Sequence, residues 1–178
     1  MLDAAAAPYA DSMRLDDVVT LLDALERHGV RYAVFDGLAM AAHGFDRATR
    51  DLGLFVAPDA DNVELLRRAL DDVFDDPDIA AITADDLGGE YPAVQYGPPG
   101  VDFTIDIVSR LGDAFRFEDL VVDRVALGTS SIAVVSAETL YRMNRDTVRL
   151  RDRDDAQRLV EAFGLEDEPA PGGPAGEI

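Results

Sequence analysis

The chain contains no cysteine and no lysine, and its 178 residues include only two histidines. Without cysteine there are no thiolate metal sites, no thiol nucleophile and no disulfide framework, which fits a reducing compartment. Without lysine, all 16 basic residues are arginine, set against 36 acidic residues for a formal charge of −20. A surface this acidic repels polyanions, so a broad face for duplex nucleic acid is excluded, although a local arginine cluster still suits one strand end. No apolar run approaches the roughly 20 residues of a membrane helix. The opening MLDAAAAPYADSMR has no basic stretch before its alanines, so it reads as a loose arm rather than a signal peptide, and the expected location is cytoplasmic. What is abundant is apolar: at 48% of 178 residues there is enough to bury one core without covalent staples.

Periodicity divides the chain into a flexible arm (1–14), one folded domain (15–164) and an acidic Pro/Gly tail (165–178) with almost nothing to bury. Leu15–His28 has helical spacing and a glycine stop at Gly29. A short strand, Arg31–Phe35, leads through Asp36-Gly37 into a small-residue helix, Leu38–His43. Leu52–Val56 reads as a strand, and Asn62–Phe74 as a second amphipathic helix capped by Asp59 or Asp61. Strands are expected at Ile79–Thr83, Ala93–Tyr96 and Val101–Val108, then a hairpin of Val121–Leu127 with Ile132–Val135. Helices Ala137–Val148 and Arg153–Phe163 close the domain. This order predicts an α/β (α+β) fold with a mixed sheet flanked by helices.

Two segments carry a resemblance. GVRYAVFDGLAMAAHGFDRATRDLGLFV (Gly29–Val56) resembles the entry motif of the nucleotidyltransferase fold, in particular its toxin-type, AbiEii-like branch. SAETLYRMNRDTVRLRDRDDAQRL (Ser136–Leu159), about 80 residues later, resembles the closing motif of the same family. The resemblance implies metal-dependent transfer of a nucleotide from an NTP to an acceptor hydroxyl. In such sites a glycine pair admits the triphosphate, two carboxylates one residue apart hold Mg²⁺, and a later lysine neutralises phosphate charge. Tyr32, Ala39, His43, Gly44, Arg47, Thr49, Arg149, Arg151, Asp152 and Asp155 fit the pattern.

Three central positions depart from it. Asp36 stands where the family has its first glycine, although Gly37 is kept; Gly53 replaces the second carboxylate, although Asp51 is kept; Asn144 replaces the lysine. Each change opposes the expected chemistry. A carboxylate facing the triphosphate at 4 Å repels it by about 4 kcal/mol at an effective dielectric of 20. A missing lysine forfeits about 1.5–3 kcal/mol of charged hydrogen bonding.

Asp102, Thr104 and Asp106 alternate along one expected strand and so share a face; the resemblance implies that Asp102 or Asp106 approaches Asp51, with Asp36 alongside. Carboxylates gathered without a metal cannot all stay ionised, so one becomes an acid or base near neutral pH. The leading expectation is a repurposed enzyme with Asp36, Asp51 and Asp106 as catalytic groups and Gly37, Asp102, Asn144, Arg149, His43 and Tyr96 around the substrate. It would use no cofactor and would isomerise, cyclise or hydrolyse a small neutral or amine-bearing molecule. Two alternatives stand beside it: a catalytically silent protein that binds a protein partner, and a toxin-type enzyme using Mg²⁺ on Asp51 and Asp106 with an NTP.

Several residues admit two readings. His43 suits a base, or a structural hydrogen bond to the following loop. His28 suits a helix C-terminus, and two distant histidines do not make a zinc site. Arg142, Arg145, Arg149, Arg151 and Arg153 either receive an anion or pair with nearby acids. Tyr91 and Tyr96 either line a pocket mouth or pack an edge strand.

Overall fold

The computed structural model describes residues 14–128 and 130–165. The expected arm and tail lie outside the described residues, apart from Arg14 and Leu165. The chain divides into two compact units, residues 1–136 and 137–178.

The first unit is built on a six-stranded mixed sheet. Its strands are β1 (Tyr32–Phe35), β2 (Asp51–Val56), β3 (Ala93–Tyr96), β4 (Thr104–Val108), β7 (Val122–Leu127) and β8 (Ser130–Val135), in the order β3-β4-β2-β1-β8-β7. A separate ribbon pairs β5 (Arg110–Leu111) with β6 (Phe115–Arg116). β2 runs parallel to β4 and antiparallel to β1, while β1 runs parallel to β8.

Alternation assigns side chains to the two faces of the sheet. On one face lie Tyr32, Val34, Leu52, Leu54, Val56, Ile105, Ile107 and Tyr96, all buried except for edges of the tyrosines. This face carries α1 (Leu15–His28) and α3 (Ala60–Phe74): the Tyr32 hydroxyl donates to Glu26 of α1 at 2.7 Å, and Phe74 of α3 meets Tyr96 edge to face at 6.1 Å. Gly29 ends α1 in the left-handed conformation (φ 68°), as its position in the sequence predicts. Asp59 caps α3 by accepting from the Asn62 N–H at 3.1 Å. Asn62 is itself buried and bridges the strands, accepting from Arg31 N–H (2.7 Å) and donating to the carbonyls of Arg31 (3.0 Å) and Ala57 (2.8 Å).

Several boundaries differ from the sequence expectation. Ile79–Thr83 is not a strand: Pro77–Ala81 forms a 3₁₀ turn, and α4 (Ala84–Gly88) follows. The local caps decide this, since Asp76 accepts from Asp78 N–H (3.1 Å), Thr83 from Asp86 N–H (3.2 Å), and Pro77 presets the turn. Ile79 and Ile82 are still buried, three residues apart on one side of the turn. β4 begins at Thr104 rather than Val101, because Gly100 takes a positive φ (79°) and Asp102 sits in a bend. The second helix, α2 (Asp36–Ala42), starts at Asp36 itself.

The second unit is an α-hairpin, α5 (Ala137–Arg145) packed on α6 (Leu150–Phe163). α5 ends earlier and α6 starts earlier than expected, and Asp155, Ala156 and Leu159 of α6 are buried. Among the described residues no helix is long and apolar enough to cross a membrane.

Candidate functional site

The sheet face opposite α1 and α3 carries the polar residues. The register sets Asp51 beside Thr104, Gly53 beside Asp106 on one side and Phe35 on the other, and Gln95 beside Asp106. Partners in register point to the same face, so Phe35, Asp51, Gly53, Thr104, Asp106 and Gln95 form one surface at the start of β2 and β4.

Each carboxylate is engaged by a neutral donor. The Thr104 hydroxyl donates to Asp51 Oδ1 at 2.6 Å, and the Gln95 amide donates to Asp106 Oδ1 at 2.8 Å. Asp51 is exposed and Asp106 half-buried. Behind Asp51, the Thr49 hydroxyl donates to the Asp51 carbonyl at 2.9 Å, and Gly37 lies so close to Thr49 that a Cβ there would come within 2.7 Å of the threonine Cβ. That close approach is why residue 37 has no side chain, and it seats the first turn of α2 against β2.

Gly53 has a comparable cause. A Cβ at this position would meet the Phe35 ring at 2.9 and 3.0 Å and the Phe35 carbonyl at 3.1 Å. The ring itself is held edge to face against Phe55 at 6.0 Å. The space where a second carboxylate would start is therefore filled by an aromatic ring.

The Mg²⁺ implied by the fold does not fit these residues. Among the described residues no three carboxylates or imidazoles are grouped closely enough to hold a metal ion. Asp51 lacks its strand neighbour at 53, which leaves Asp51 and Asp106 as the two carboxylates of this surface, each accepting one hydrogen bond at Oδ1, from Thr104 and Gln95.

Asp36 takes a left-handed backbone (φ 62°), the conformation that a glycine adopts without cost. It is half-buried at the head of α2, directly after Phe35.

The structure does not bring the other expected residues of the first unit to this surface. Asp102 is exposed in the bend before β4 rather than on the strand. Tyr96 points to the opposite face, buried beneath Phe74, with its hydroxyl donating to Asp76 at 2.8 Å. Burial first, and then that bond, push the phenol's pKa well above its ordinary value. Tyr91 is 82% exposed, just before β3. His43 faces β8, its ring nitrogen Nε2 donating to the Val135 carbonyl at 2.8 Å, a partner on a distant strand rather than in the loop that follows the histidine. His28 likewise ties the end of α1 to Asp72 of α3 at 2.6 Å, which holds the Asp72 carboxyl below the ordinary carboxylate range.

Asn144 and Arg149 belong to the second unit. Asn144 is buried on α5, and Arg149 is exposed at the N-cap position of α6. The arginines around them are partly satisfied locally: Arg145 pairs with Asp146 at 3.1 Å and lies over the Tyr141 ring, and Arg153 donates to the Thr147 carbonyl at 2.7 Å. Phe35 and Gln95 are the site residues that sequence reasoning missed, and Thr49 entered it only as a match to the family pattern. For Gln95 a signal existed, since it is the polar position in the alternating strand Ala93–Tyr96.

No known family profile matches the chain, and no curated protein is similar to it in sequence. Solved structures are similar in fold. The lincomycin-bound lincosamide antibiotic adenylyltransferase LnuA aligns with a TM-score of 0.53 and 14% identity over 84% of this chain and 98% of that one. The antibiotic-resistance factor ANT(2'')-Ia in solution aligns with a TM-score of 0.52 and 13% identity over 84% of each chain. The same enzyme with adenylyl-2''-tobramycin gives 0.51 and 11% identity, over 84% of this chain and 89% of that one. At these identities the likeness shows the fold alone, and that fold is the nucleotidyltransferase fold.

Proposed function

We propose that this protein uses a nucleotidyltransferase scaffold for metal-independent acid–base work on a small neutral or amine-bearing molecule. The observation that carries the reading is the Phe35 ring in the space beside Gly53, which leaves Asp51 and Asp106 hydrogen-bonded to Thr104 and Gln95. A carboxylate accepting one bond from a neutral donor keeps lone pairs for a ligand's N–H or O–H. Two such groups on adjoining strands can take a proton at one atom of a ligand and return it at another, which is what isomerisation, cyclisation or hydrolysis requires. Asp36 adds a negative charge at the head of α2, and this favours an amine over a phosphate. Proteins of this fold hold antibiotics such as lincomycin, which supports a small-molecule ligand. The proposal uses first-unit residues alone. Placement in the toxin-type branch rests on the two motifs, Gly29–Val56 and Ser136–Leu159.

The test compares thermal unfolding in Mg²⁺–ATP with unfolding alone, then follows the backbone amides of β2 and β4 by NMR during titration with a panel of small amines. Mg²⁺–ATP is expected to leave Tm unchanged, and at least one amine to shift β2 and β4 resonances in wild type but not in Asp51→Asn/Asp106→Asn. Metal-dependent NTP consumption that is lost in Asp51→Ala overturns the proposal, as does an amine panel with no effect on these strands.

A further inference from the structure

A second polar site lies at the other end of the same sheet. β2 and β4 run in parallel away from Asp51 and Asp106, and where they emerge, at Pro58 and Ser109, a cavity of about 220 Å³ opens between the loop after α4 and the β5–β6 ribbon. Seven residues of extended chain separate Asp51 from Pro58, a span of roughly 20 Å. The two sites are separate.

The ribbon places Arg110 directly opposite Arg116 in register, and both line this cavity with Gly88, Gly89 and Ser109. Like charges facing each other across an antiparallel pair repel and destabilise the pairing. This chain has 36 carboxylates and 16 arginines, yet among the described residues neither of these two arginines makes an ion pair. Glu118 is the cavity's one acidic lining residue, and it bridges neither.

Arg110 is half-buried and already oriented, its Nη2 donating to the carbonyls of Glu90 at 3.1 Å and Gly89 at 3.4 Å. Its remaining N–H groups stay available. Arg116 is exposed on the neighbouring strand. The floor is firm, because buried Ser109 donates to the Leu87 carbonyl and ties β4 to α4.

We propose that this cavity binds the phosphoryl group of a small molecule, or free phosphate, between Arg110 and Arg116. Two guanidinium forks lining one cavity from facing strands suit the oxygens of a tetrahedral oxyanion. The bound anion cancels the repulsion that the register imposes. The strongly acidic remainder of the chain excludes long polyanions from the surface, so the ligand is small.

Calorimetric titration of the full chain at constant ionic strength tests this, with inorganic phosphate and glycerol 3-phosphate as probes and chloride as the balancing ion. Saturable binding is expected, with Kd weakened about tenfold or more by Arg116→Ser, the loss of a charged hydrogen bond. The Arg116 side chain makes no ion pair among the described residues, and its backbone bond to Asp119 survives the substitution, so the same variant in chloride is expected to keep the wild-type Tm. Arg116→Lys, which keeps the charge but not the fork, is expected to fall between the two. Asp51→Asn is expected to bind phosphate as wild type does, which separates this site from the one at the other end of the sheet. Tighter binding of glycerol 3-phosphate assigns the cavity to a phosphorylated small molecule, and equal binding assigns it to the free ion. Absence of saturable binding, or equal affinity in Arg116→Ser and wild type, overturns the proposal.

Discussion

Placing a single methyl group at position 53 tests how this site came to lack its second carboxylate. In Gly53→Ala the new Cβ starts 2.9 Å from Phe35 Cε1, 3.0 Å from Cδ1 and 3.1 Å from the Phe35 carbonyl oxygen. Carbon atoms attract best at roughly 3.5–4.0 Å, so the ring must give way by about half an ångström against Phe55, which it meets edge to face at 6.0 Å. Overpacking of this kind costs about 1–3 kcal/mol. Removing a glycine from a strand returns about 0.5–1 kcal/mol through the unfolded chain. The expected net loss is about 1–2 kcal/mol, read from urea unfolding followed by circular dichroism with an unchanged m-value. In a Phe35→Ala background the ring is gone and only the carbonyl contact remains, so the same substitution should cost less than about 0.5 kcal/mol, a coupling of about 1 kcal/mol. If Gly53→Ala is neutral in wild type, or costs the same in both backgrounds, then the ring does not hold that space. Gly53→Asp alone is likewise expected to gain no stabilisation from Mg²⁺.

Asn62→Ala removes the partners of the Arg31 N–H and the Ala57 carbonyl in a site where Asn62 is only 2% exposed, while the Arg31 carbonyl keeps its bond from the Ala57 N–H, so about 2 kcal/mol of stability should be lost, measured by the same denaturation. The Glu26 carboxyl is pushed up by burial, but the hydrogen bonds from Arg124 and Tyr32 outweigh this and hold it below its ordinary 4.5. A depressed carboxylate stabilises the fold above its unfolded value of 4.5 and loses that contribution as pH falls through the folded value. Glu26→Gln should therefore flatten the loss of Tm between neutral pH and about pH 3; the solvent-exposed side of the pair limits the effect to about 1 kcal/mol. Asp36→Ala should be about 1 kcal/mol less stable than Asp36→Gly, because residue 36 has φ 62°. Equal stabilities in thermal unfolding would show that the turn is unstrained.

Much of the fold was legible in local pattern. The spacing of Leu15–His28 with its glycine stop, and the apolar runs at 31–35 and 52–56, produced α1, β1 and β2 almost to the residue. Expectation failed where caps competed with hydrophobicity. Ile79–Thr83 looks like a strand until Asp76, Pro77 and Thr83 are weighed as turn-formers. The strand expected from Val101 starts late because a positive-φ glycine precedes it.

The sequence by itself determined which chemical groups are present: an all-arginine, cysteine-free chain, with aspartates at 36, 51 and 106, glycine at 53 and no lysine at 144. It also determined which residues alternate along a strand, since that depends only on the period of the backbone. Only tertiary structure decided what those groups meet. Pairing between strands distant in sequence set Asp106 against Gln95 and Asp51 against Thr104, turned Tyr96 to the far face, and put the Phe35 ring beside Gly53. A local register, between residues only six apart in sequence, put two arginines face to face across a short ribbon. A glycine in a list of residues records a missing side chain, and the folded chain shows what took its place.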